Sequence, residues 1–368
     1  MAPHDAHSTE WQPMTLQRHK GRGAVSQWPH RFTQEQRSGA DDGWPGDGLD
    51  DEAATIVTEV MLEDARSAIA VNDSLDVPFD HSVNPYRGCE HGCIYCFARP
   101  THSYLGFSPG LDFETRIVAK RNVAEALARD LMRPGYRPSI INIGSATDAY
   151  QPVERELKLT RGVIEVLARV RHPFSVITKS SGVERDLDLL APLAAAGRTA
   201  VYISIPTLDA GLARVMEPRA AAPHRRLRTM RALAQAGVPV GVSLAPQIPF
   251  INDDMEQVLA AAWDAGARRA FYTVLRLPWE VSPLFRQWLD THFPDRAARV
   301  MARVQDMRGG NDYEAAWGRR MHGQGVWAEL LRQRFERCCQ RMGYGGKRIG
   351  LDLSAFDSGA LAGQATLF

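Results

Sequence analysis

Three of the five cysteines in this chain lie in one stretch, Val83-Asn84-Pro85-Tyr86-Arg87-Gly88-Cys89-Glu90-His91-Gly92-Cys93-Ile94-Tyr95-Cys96-Phe97, with the spacing C-x3-C-x2-C. Gly88 and Gly92 lie on either side of the first cysteine, which favours a compact loop over a helix. Three thiolates held this closely can bind three irons of a cubane [4Fe–4S] cluster, whereas a closed ferredoxin-type cluster needs four. The motif therefore predicts a cluster whose fourth iron is open to another ligand.

A zinc knuckle is the alternative interpretation of the same stretch, with His91 as a fourth ligand beside Cys89, Cys93 and Cys96. Zinc favours four tetrahedral sulfur or nitrogen ligands, and paired C-x2-C units are usual. The chain has no second pair with that spacing. The sequence therefore favours the cluster over a zinc-binding module.

The composition is that of a globular protein of 368 residues, with 44% hydrophobic and 24% charged residues. A net charge of +1 gives no global field for nucleic acid or membrane, so any basic site must be local. No apolar run reaches the roughly 18 residues of a membrane span, and the N-terminus lacks the apolar core of a signal peptide. Most of the cysteines lie in one metal-type motif, so we expect a cytoplasmic protein without a membrane partner.

Six short apolar segments alternate with amphipathic ones, at 83–86, 140–143, 174–178, 200–205, 238–244 and 269–275. This alternation predicts an α/β fold with a parallel sheet, and six units are too few for a complete eightfold barrel. We predict a mostly disordered segment at 1–54, a core at 55–280, a helical extension at 281–350 and a loose tail at 351–368. Within the first segment, Lys20 to Ala24 and Arg31-Phe32 form either a short basic contact arm or a solvated tail.

The cysteine motif, with Tyr95 directly before its last cysteine, resembles the signature of the radical S-adenosylmethionine (SAM) superfamily. In that superfamily the open iron chelates the amino and carboxylate groups of SAM. One electron then cleaves a carbon–sulfur bond and releases methionine and a 5′-deoxyadenosyl radical. The resemblance implies a partial (β/α)6 TIM-like barrel with a helical C-terminal extension, and an electron donor such as flavodoxin or ferredoxin.

Further strings resemble the spore-photoproduct-lyase-like branch of that superfamily, and an uncharacterised bacterial subgroup within it. They include Ile177-Thr178-Lys179-Ser180, Glu217-Pro218-Arg219, Ala245-Pro246-Gln247-Ile248-Pro249, Phe97-Ala98-Arg99-Pro100-Thr101-His102 and Tyr150-Gln151-Pro152. The branch implies damaged or modified nucleic acid as substrate. Modification of a protein, a tRNA or a small molecule is the alternative within enzymes, and a non-catalytic Fe–S or zinc module is the alternative outside them.

The resemblance also implies roles for residues that follow the predicted strands, where the active site of a β/α barrel gathers. It makes Cys89, Cys93 and Cys96 the cluster ligands, places Tyr95 against the adenine, Gly144 and Ser145 at the SAM amino group, and Lys179 and Ser204 at its ribose or carboxylate. No glutamate follows Gly144, although the superfamily has one at that point. In the loop beyond the fourth strand, Glu217 and Arg219 either contribute to the site or form an ion pair with each other.

One departure concerns the hydrogen donor. Spore photoproduct lyase uses a cysteine beyond the cluster motif, but here none occurs between Cys96 and Cys338. A lyase of that type would have to use Cys338, Cys339 or a tyrosine. The expected reaction is therefore hydrogen-atom abstraction from an unknown substrate, and the lyase activity is not carried over.

The last five residues, Gln364-Ala365-Thr366-Leu367-Phe368, resemble the peptide by which bacterial replication and repair proteins bind the DNA sliding clamp. Leu367 and Phe368 would enter an apolar pocket while Gln364 forms hydrogen bonds at its edge. The alternative is that this apolar end packs against its own domain, since so short a motif often occurs by chance.

Overall fold

The strands of this protein form two sheets in the computed structural model, which describes residues 18–32, 56–345 and 349–364. In chain order the strands are β1 (Glu59–Glu63), β2 (Ile69–Val71), β3 (His81–Val83), β4 (Tyr86–Arg87), β5 (Arg116–Lys120), β6 (Ile141–Ile143), β7 (Phe174–Thr178), β8 (Thr199–Ser204), β9 (Val240–Gln247) and β10 (Arg269–Val274). Strands β1, β5 and β4 make a small sheet, and the other seven described strands make the main one.

The main sheet has the order β10-β9-β8-β7-β6-β3-β2. All neighbours from β3 to β10 are parallel, and only β2 is antiparallel, on the outer edge of β3. The predicted sheet of six parallel strands is therefore confirmed. Because parallel strands end at the same edge, the residues that follow β6, β7, β8 and β10 gather there.

Helices cover the outer face of the main sheet between its strands. In chain order the α-helices are α1 (Asp112–Thr115), α2 (Val123–Leu131), α3 (Glu154–Leu157), α4 (Leu159–Arg169), α5 (Leu187–Ala195), α6 (Ala210–Met216), α7 (Pro223–Gln235) and α8 (Met255–Asp264). Helix α4 shows the reason for this packing: Val163, Ile164 and Leu167 recur at helical spacing and are fully buried. The spacing of these apolar residues gives the helix one face that must leave water.

The region after β10 is helical, as predicted, with α9 (Val281–His292), α10 (Pro294–Asp306), α11 (Arg319–His322) and α12 (Gly325–Met342). Trp288 on α9 is fully buried in the same apolar cluster as Cys93 and Ile94, and its indole N–H donates to the Val215 carbonyl at 3.0 Å. The extension is therefore part of the packing around the cysteine loop. None of the helices in the described ranges combines the length and the apolar character needed to cross a membrane.

Residues 349–364 differ from the loose tail expected of them. The Phe356 ring packs against Tyr136 and His172, and Asp357 pairs with Arg171 at 2.9 Å. Leu361 is buried as well. These spaced apolar side chains hold the segment against the domain. Leu367 and Phe368 lie outside the described residues, as do 1–17 and 33–54 of the predicted N-terminal segment, and the domain boundaries stay a prediction.

Candidate metal-cluster site

The three motif cysteines lie in a compact loop of turns that follows β4, as the sequence predicted. Cys89 and Cys93 are each 7% exposed, and Cys96 is partly buried. The Cys89 N–H donates to the Phe113 carbonyl at 2.8 Å, and the Cys96 N–H donates to the Cys93 carbonyl at 3.2 Å. Gly88 has a φ of +79°, and a Cβ atom there would lie 2.8 Å from the His102 ring. The loop therefore needs glycine at this position.

A glutamine from a distant loop holds the cysteine loop in place. The fully buried side chain of Gln151 accepts the Glu90 N–H at 2.9 Å and donates to the Gly88 carbonyl at 3.2 Å. Glu90 in turn accepts the Val153 N–H at 2.7 Å and pairs with Arg219 at 3.2 Å. Gln151 lies in the string Tyr150-Gln151-Pro152, and nothing in that string by itself indicates this supporting role.

The described part of the N-terminal segment, residues 18–32, contributes a contact arm rather than a solvated tail. The carboxylate of Glu114, which is fully buried, accepts the N–H groups of Gly23 and Ala24 at 2.9 Å each and pairs with Arg99 at 2.5 Å. Ala24 is itself fully buried beside the cysteine loop. A buried carboxylate needs such donors, and the arm supplies two of them.

Tyr95, Lys179 and Ser204 meet around one buried ion pair. The Tyr95 hydroxyl donates to Glu217, whose other oxygen pairs with Arg226 at 2.5 Å; the two ionic side chains are 0% and 1% exposed. Arg226 also donates to the Ser204 carbonyl at 2.8 Å. The Lys179 ammonium lies 5.8 Å from the centroid of the Tyr95 ring. Three of the predicted SAM contacts are thus brought together.

This arrangement corrects the alternative in which Glu217 pairs with Arg219. Glu217 pairs with Arg226, and Arg219 pairs with Glu90 on the cysteine loop. The reason is the fold: Arg226 lies on the first turns of α7 and is fully buried, so it needs a buried counter-ion. Both ion pairs therefore connect a loop at the carboxyl edge of the sheet to a neighbouring element.

Burial and neighbouring charges act in opposite directions on the pKa values of Cys93 and Lys179. Burial raises the pKa of the Cys93 thiol to about 12, and the positive charge of Lys179 acts against this rise. For Lys179 burial lowers the pKa, but Cys93, Glu217 and Asp148 outweigh it, so the net pKa is raised. The Lys179 side chain is therefore a permanent cation beside the cysteine loop.

His91 faces Asp148 rather than standing free for a metal. Its Nδ1 lies 3.3 Å from the Asp148 carboxylate, which also accepts the Thr178 hydroxyl at 2.6 Å and the Lys179 N–H at 2.7 Å. Burial alone raises the pKa of Asp148, but His91 and these hydrogen bonds outweigh it and hold the pKa below its usual range. In the part of the chain that the structure describes, no three His, Cys, Asp or Glu side chains lie close enough together to hold a single metal ion. A cubane cluster instead takes one thiolate per iron.

Gly144 and Ser145 lie at the end of β6, on the same edge as Lys179 and Ser204. Gly144 has a φ of +88°, and a Cβ atom there would lie 2.8 Å from the Ile177 carbonyl oxygen. The Asn84 amide donates to the Ser145 hydroxyl at 3.4 Å and accepts the Ala146 N–H at 2.9 Å. Asn84 begins the cysteine stretch, so this turn and the cysteine loop are held side by side.

The two remaining cysteines lie elsewhere. Cys338 and Cys339 are on α12, and Cys338 is buried with its sulfur 3.7 Å from that of Met342. Just beyond this helix, the Gly345 N–H donates to the Arg268 carbonyl at 3.1 Å, and Gly345 forms a parallel β-bridge with Arg269 at the start of β10. The cysteine loop lies at the opposite edge of the sheet, where the strands end. Cys338 and Cys339 are therefore not part of the cysteine loop.

Comparisons with known proteins match most of this chain. A family model described as the Radical SAM superfamily matches residues 83–262. An uncharacterised protein of Mycobacterium tuberculosis is 36% identical over 244 residues, which are 66% of this chain and 71% of the relative. An uncharacterised protein of Methanocaldococcus jannaschii is 26% identical over 213 residues, which are 58% of this chain and 76% of the relative.

Solved structures of spore photoproduct lyase share the fold. One variant of that enzyme has a TM-score of 0.54 at 15% identity, over 79% of this chain and 82% of its own. Another, with bound AdoMet and dinucleoside spore photoproduct, has a TM-score of 0.52 at 14% identity, and the match again covers 79% of this chain and 82% of that structure's chain. The chain belongs to the Radical SAM superfamily, whose [4Fe–4S] cluster and SAM are its cofactors.

Proposed function

We propose that this protein is an enzyme that abstracts a hydrogen atom from damaged or modified nucleic acid, with an electron from a donor such as flavodoxin or ferredoxin. When bound, the cluster and SAM supply one-electron cleavage of SAM and the hydrogen abstraction. The observation that carries this proposal is the placement of three thiols in one loop, with the Lys179 ammonium 5.8 Å from the ring centroid of Tyr95 in that same loop.

Cys89, Cys93 and Cys96 are the proposed cluster ligands. Their donor chemistry fits, because each thiolate can serve one iron of a cubane and the fourth iron stays open. The burial of Cys89 and Cys93 protects bound iron from water. Gln151 contributes by holding the loop backbone on both sides of Cys89.

Lys179 and Ser204 are the proposed contacts to the ribose or carboxylate of SAM, Gly144 and Ser145 those to its amino group. The support is their common position at the ends of β6, β7 and β8. The Tyr95 hydroxyl is already hydrogen-bonded to Glu217, so its ring and backbone are what remains for the adenine.

The substrate class is supported by the spore photoproduct lyase structures, one of which holds a dinucleoside. We do not propose the lyase reaction itself, because Cys338 and Cys339 lie at the far edge of the sheet. Modification of a protein, a tRNA or a small molecule is the competing substrate class. Deuterium transfer from labelled candidate substrates into 5′-deoxyadenosine separates these classes.

Anaerobic reconstitution with iron and sulfide tests the proposal. We expect one [4Fe–4S] cluster per chain, an EPR signal of the reduced cluster that shifts when SAM is added, and conversion of SAM to 5′-deoxyadenosine and methionine with dithionite. Cys89→Ala, Cys93→Ala and Cys96→Ala should each abolish the cluster, whereas the matched controls Cys338→Ala and Cys339→Ala should keep it. Tightly bound zinc without iron uptake would overturn the proposal.

The assigned SAM contacts can be tested separately. Lys179→Ala and Ser204→Ala should each raise the Kd for SAM about tenfold, which corresponds to about 1.4 kcal/mol, while the iron content is retained. Ser354→Ala is the control, because Ser354 is exposed in the C-terminal segment. If both variants bind SAM like the parent protein, the assignment of Lys179 and Ser204 is wrong.

A further inference from the structure

Four large aromatic side chains are exposed in one region next to the cysteine loop. Phe32 is 51% exposed, Phe97 44%, Tyr104 70% and Trp279 66%. We refer to these four as the aromatic patch. Single exposed apolar side chains are ordinary, but several exposed aromatic rings near one site point to an interaction surface.

One end of the aromatic patch directly adjoins the proposed cluster ligands. Phe97 follows Cys96 in the chain, and the Arg276 guanidinium carbon lies 4.7 Å from the centroid of its ring. Arg276 comes just after β10, at the edge of the sheet where the strands end. The patch therefore begins at the mouth of the site.

The other three rings surround one guanidinium group. The Arg31 guanidinium carbon lies 4.5 Å from the ring centroid of Trp279 and 5.1 Å from those of Tyr104 and Phe32. The Phe32 and Tyr104 centroids are 5.4 Å apart. Glu280 pairs with Arg31 at 3.4 Å and fixes it in this position. The exposed rings are thus held in place by Arg31.

Arg276 carries a positive charge at this edge. Among the described residues, no Asp or Glu oxygen lies within 4.0 Å of the Arg276 guanidinium, and its buried Nε has no hydrogen-bond partner. A second guanidinium, that of Arg308, is fully buried nearby; burial and the charge of Arg276 lower the pKa of Arg308 to about 10. Arg308 donates to the carbonyls of Arg319 and Leu275, so Arg276, which is only partly buried, is the cation that suits an anionic ligand.

The backbone at Trp279 is strained. Its φ is +46°, in the left-handed region that bulky residues rarely adopt. Such backbone is unfavourable and is common at ligand-binding sites. Here it accompanies a tryptophan that stays mostly in solvent.

We propose that the aromatic patch, with Arg31 and Arg276, binds the unpaired nucleotides of a single strand of nucleic acid. Bases stack favourably on exposed aromatic rings, and guanidinium groups contact both bases and phosphates. A double helix hides its base faces, so the patch should prefer single strands. An acidic peptide would use the arginines but would leave the rings in water. This inference rests on the proposed function and specifies how its substrate is held.

Fluorescence anisotropy with a labelled single-stranded DNA of about 12 nucleotides tests the inference on the reconstituted protein. We expect a micromolar Kd that is at least fivefold weaker for the blunt duplex. Trp279→Ala should raise the Kd about fivefold or more. Arg276→Gln should raise the Kd as well, and it should lower the slope of log Kd against log salt concentration by about one, the value for one lost phosphate contact. Circular dichroism confirms that both variants are folded.

The chain offers a matched control at the opposite edge of the sheet. There the Arg268 guanidinium carbon lies 4.1 Å from the Trp263 ring centroid, so Trp263→Ala and Arg268→Gln change the same kind of pair and should leave binding unchanged. The inference is overturned by no binding at about 100 µM, by equal losses in patch and control variants, or by equal binding of an acidic peptide of the same charge.

Measuring SAM cleavage in the same preparations separates this inference from the proposed function. Cleavage of SAM without binding of the oligonucleotide would remove the inference and leave the cofactor chemistry standing. Binding of the oligonucleotide without any cleavage of SAM would contradict the proposed function and leave the binding surface standing.

Discussion

The backbones of Gly23 and Gly92 are in direct contact: a Cβ atom on Gly23 would lie 1.9 Å from the Gly92 carbonyl oxygen. Gly92 lies between two proposed cluster ligands, and its φ of +66° shows that it too depends on being glycine. The N-terminal arm can therefore close over the cysteine loop only because neither residue has a side chain. The stability of the cluster loop depends on a segment far away in sequence.

Gly23→Ala should displace the arm. The added methyl group cannot be accommodated without moving the backbone, which costs about 1–3 kcal/mol, and the Glu114 carboxylate would lose donors. We expect a lower thermal midpoint and faster loss of iron to a chelator. Gly162→Ala is the matched control, because its new Cβ would make an ordinary 3.5 Å contact on helix α4. Equal iron loss from the two variants would contradict this role of the arm.

Glu217→Gln should destabilise the protein strongly. The substitution leaves Arg226 buried without its counter-ion, and breaking a buried pair costs about 3–5 kcal/mol. Glu329→Gln serves for comparison, since the pair of Glu329 with Arg332 is about half exposed and exposed ion pairs contribute little to stability. Urea unfolding of the metal-free proteins measures both. A loss for Glu217→Gln no larger than for Glu329→Gln would show that the Glu217 pair is not structurally important.

The buried histidine His172 should make stability fall in acid. Burial lowers its pKa to about 4, so between pH 6.5 and pH 4 the unfolded chain binds a proton that the folded chain does not. The free energy of unfolding should therefore decrease as pH falls through this window, by about 3 kcal/mol in total. Urea unfolding at a series of pH values measures this slope.

In that experiment His172→Gln should remove the contribution, because no titrating group remains at the position. His172 lies before β7, away from the proposed cluster ligands, with its ring 2.8 Å from the Tyr136 hydroxyl and 2.9 Å from the Pro173 carbonyl oxygen. The prediction therefore does not depend on bound metal. The same slope in the variant and the parent protein would refute it.

We propose that Gln364, Leu367 and Phe368 bind the DNA sliding clamp. A peptide of residues 355–368 should bind purified clamp with a micromolar Kd, because a short segment that orders on contact binds weakly. Calorimetry measures this, with a Leu367→Ala, Phe368→Ala peptide as control. No binding at about 100 µM, or the same affinity for both peptides, would remove this support for a nucleic-acid substrate.

The sequence by itself determined the features that depend on local patterns. The spacing of Cys89, Cys93 and Cys96 was sufficient for the cluster prediction, since three thiolates within one turn-rich loop can serve one cubane. The alternation of apolar strands and amphipathic helices was sufficient for the parallel sheet, because each pattern has its own period. From these two features the position of Lys179 and Ser204 at the carboxyl edge followed.

Only the tertiary structure decided the contacts that hold the site. The pairing of Glu217 with Arg226, the support of the cysteine loop by Gln151 and the closure of the arm at Gly23 join residues that no local pattern connects. The aromatic patch is similar, because Phe32, Phe97, Tyr104 and Trp279 are scattered along the chain. The physical reason is that burial and counter-ion choice depend on which elements pack together, and that packing is a property of the whole fold.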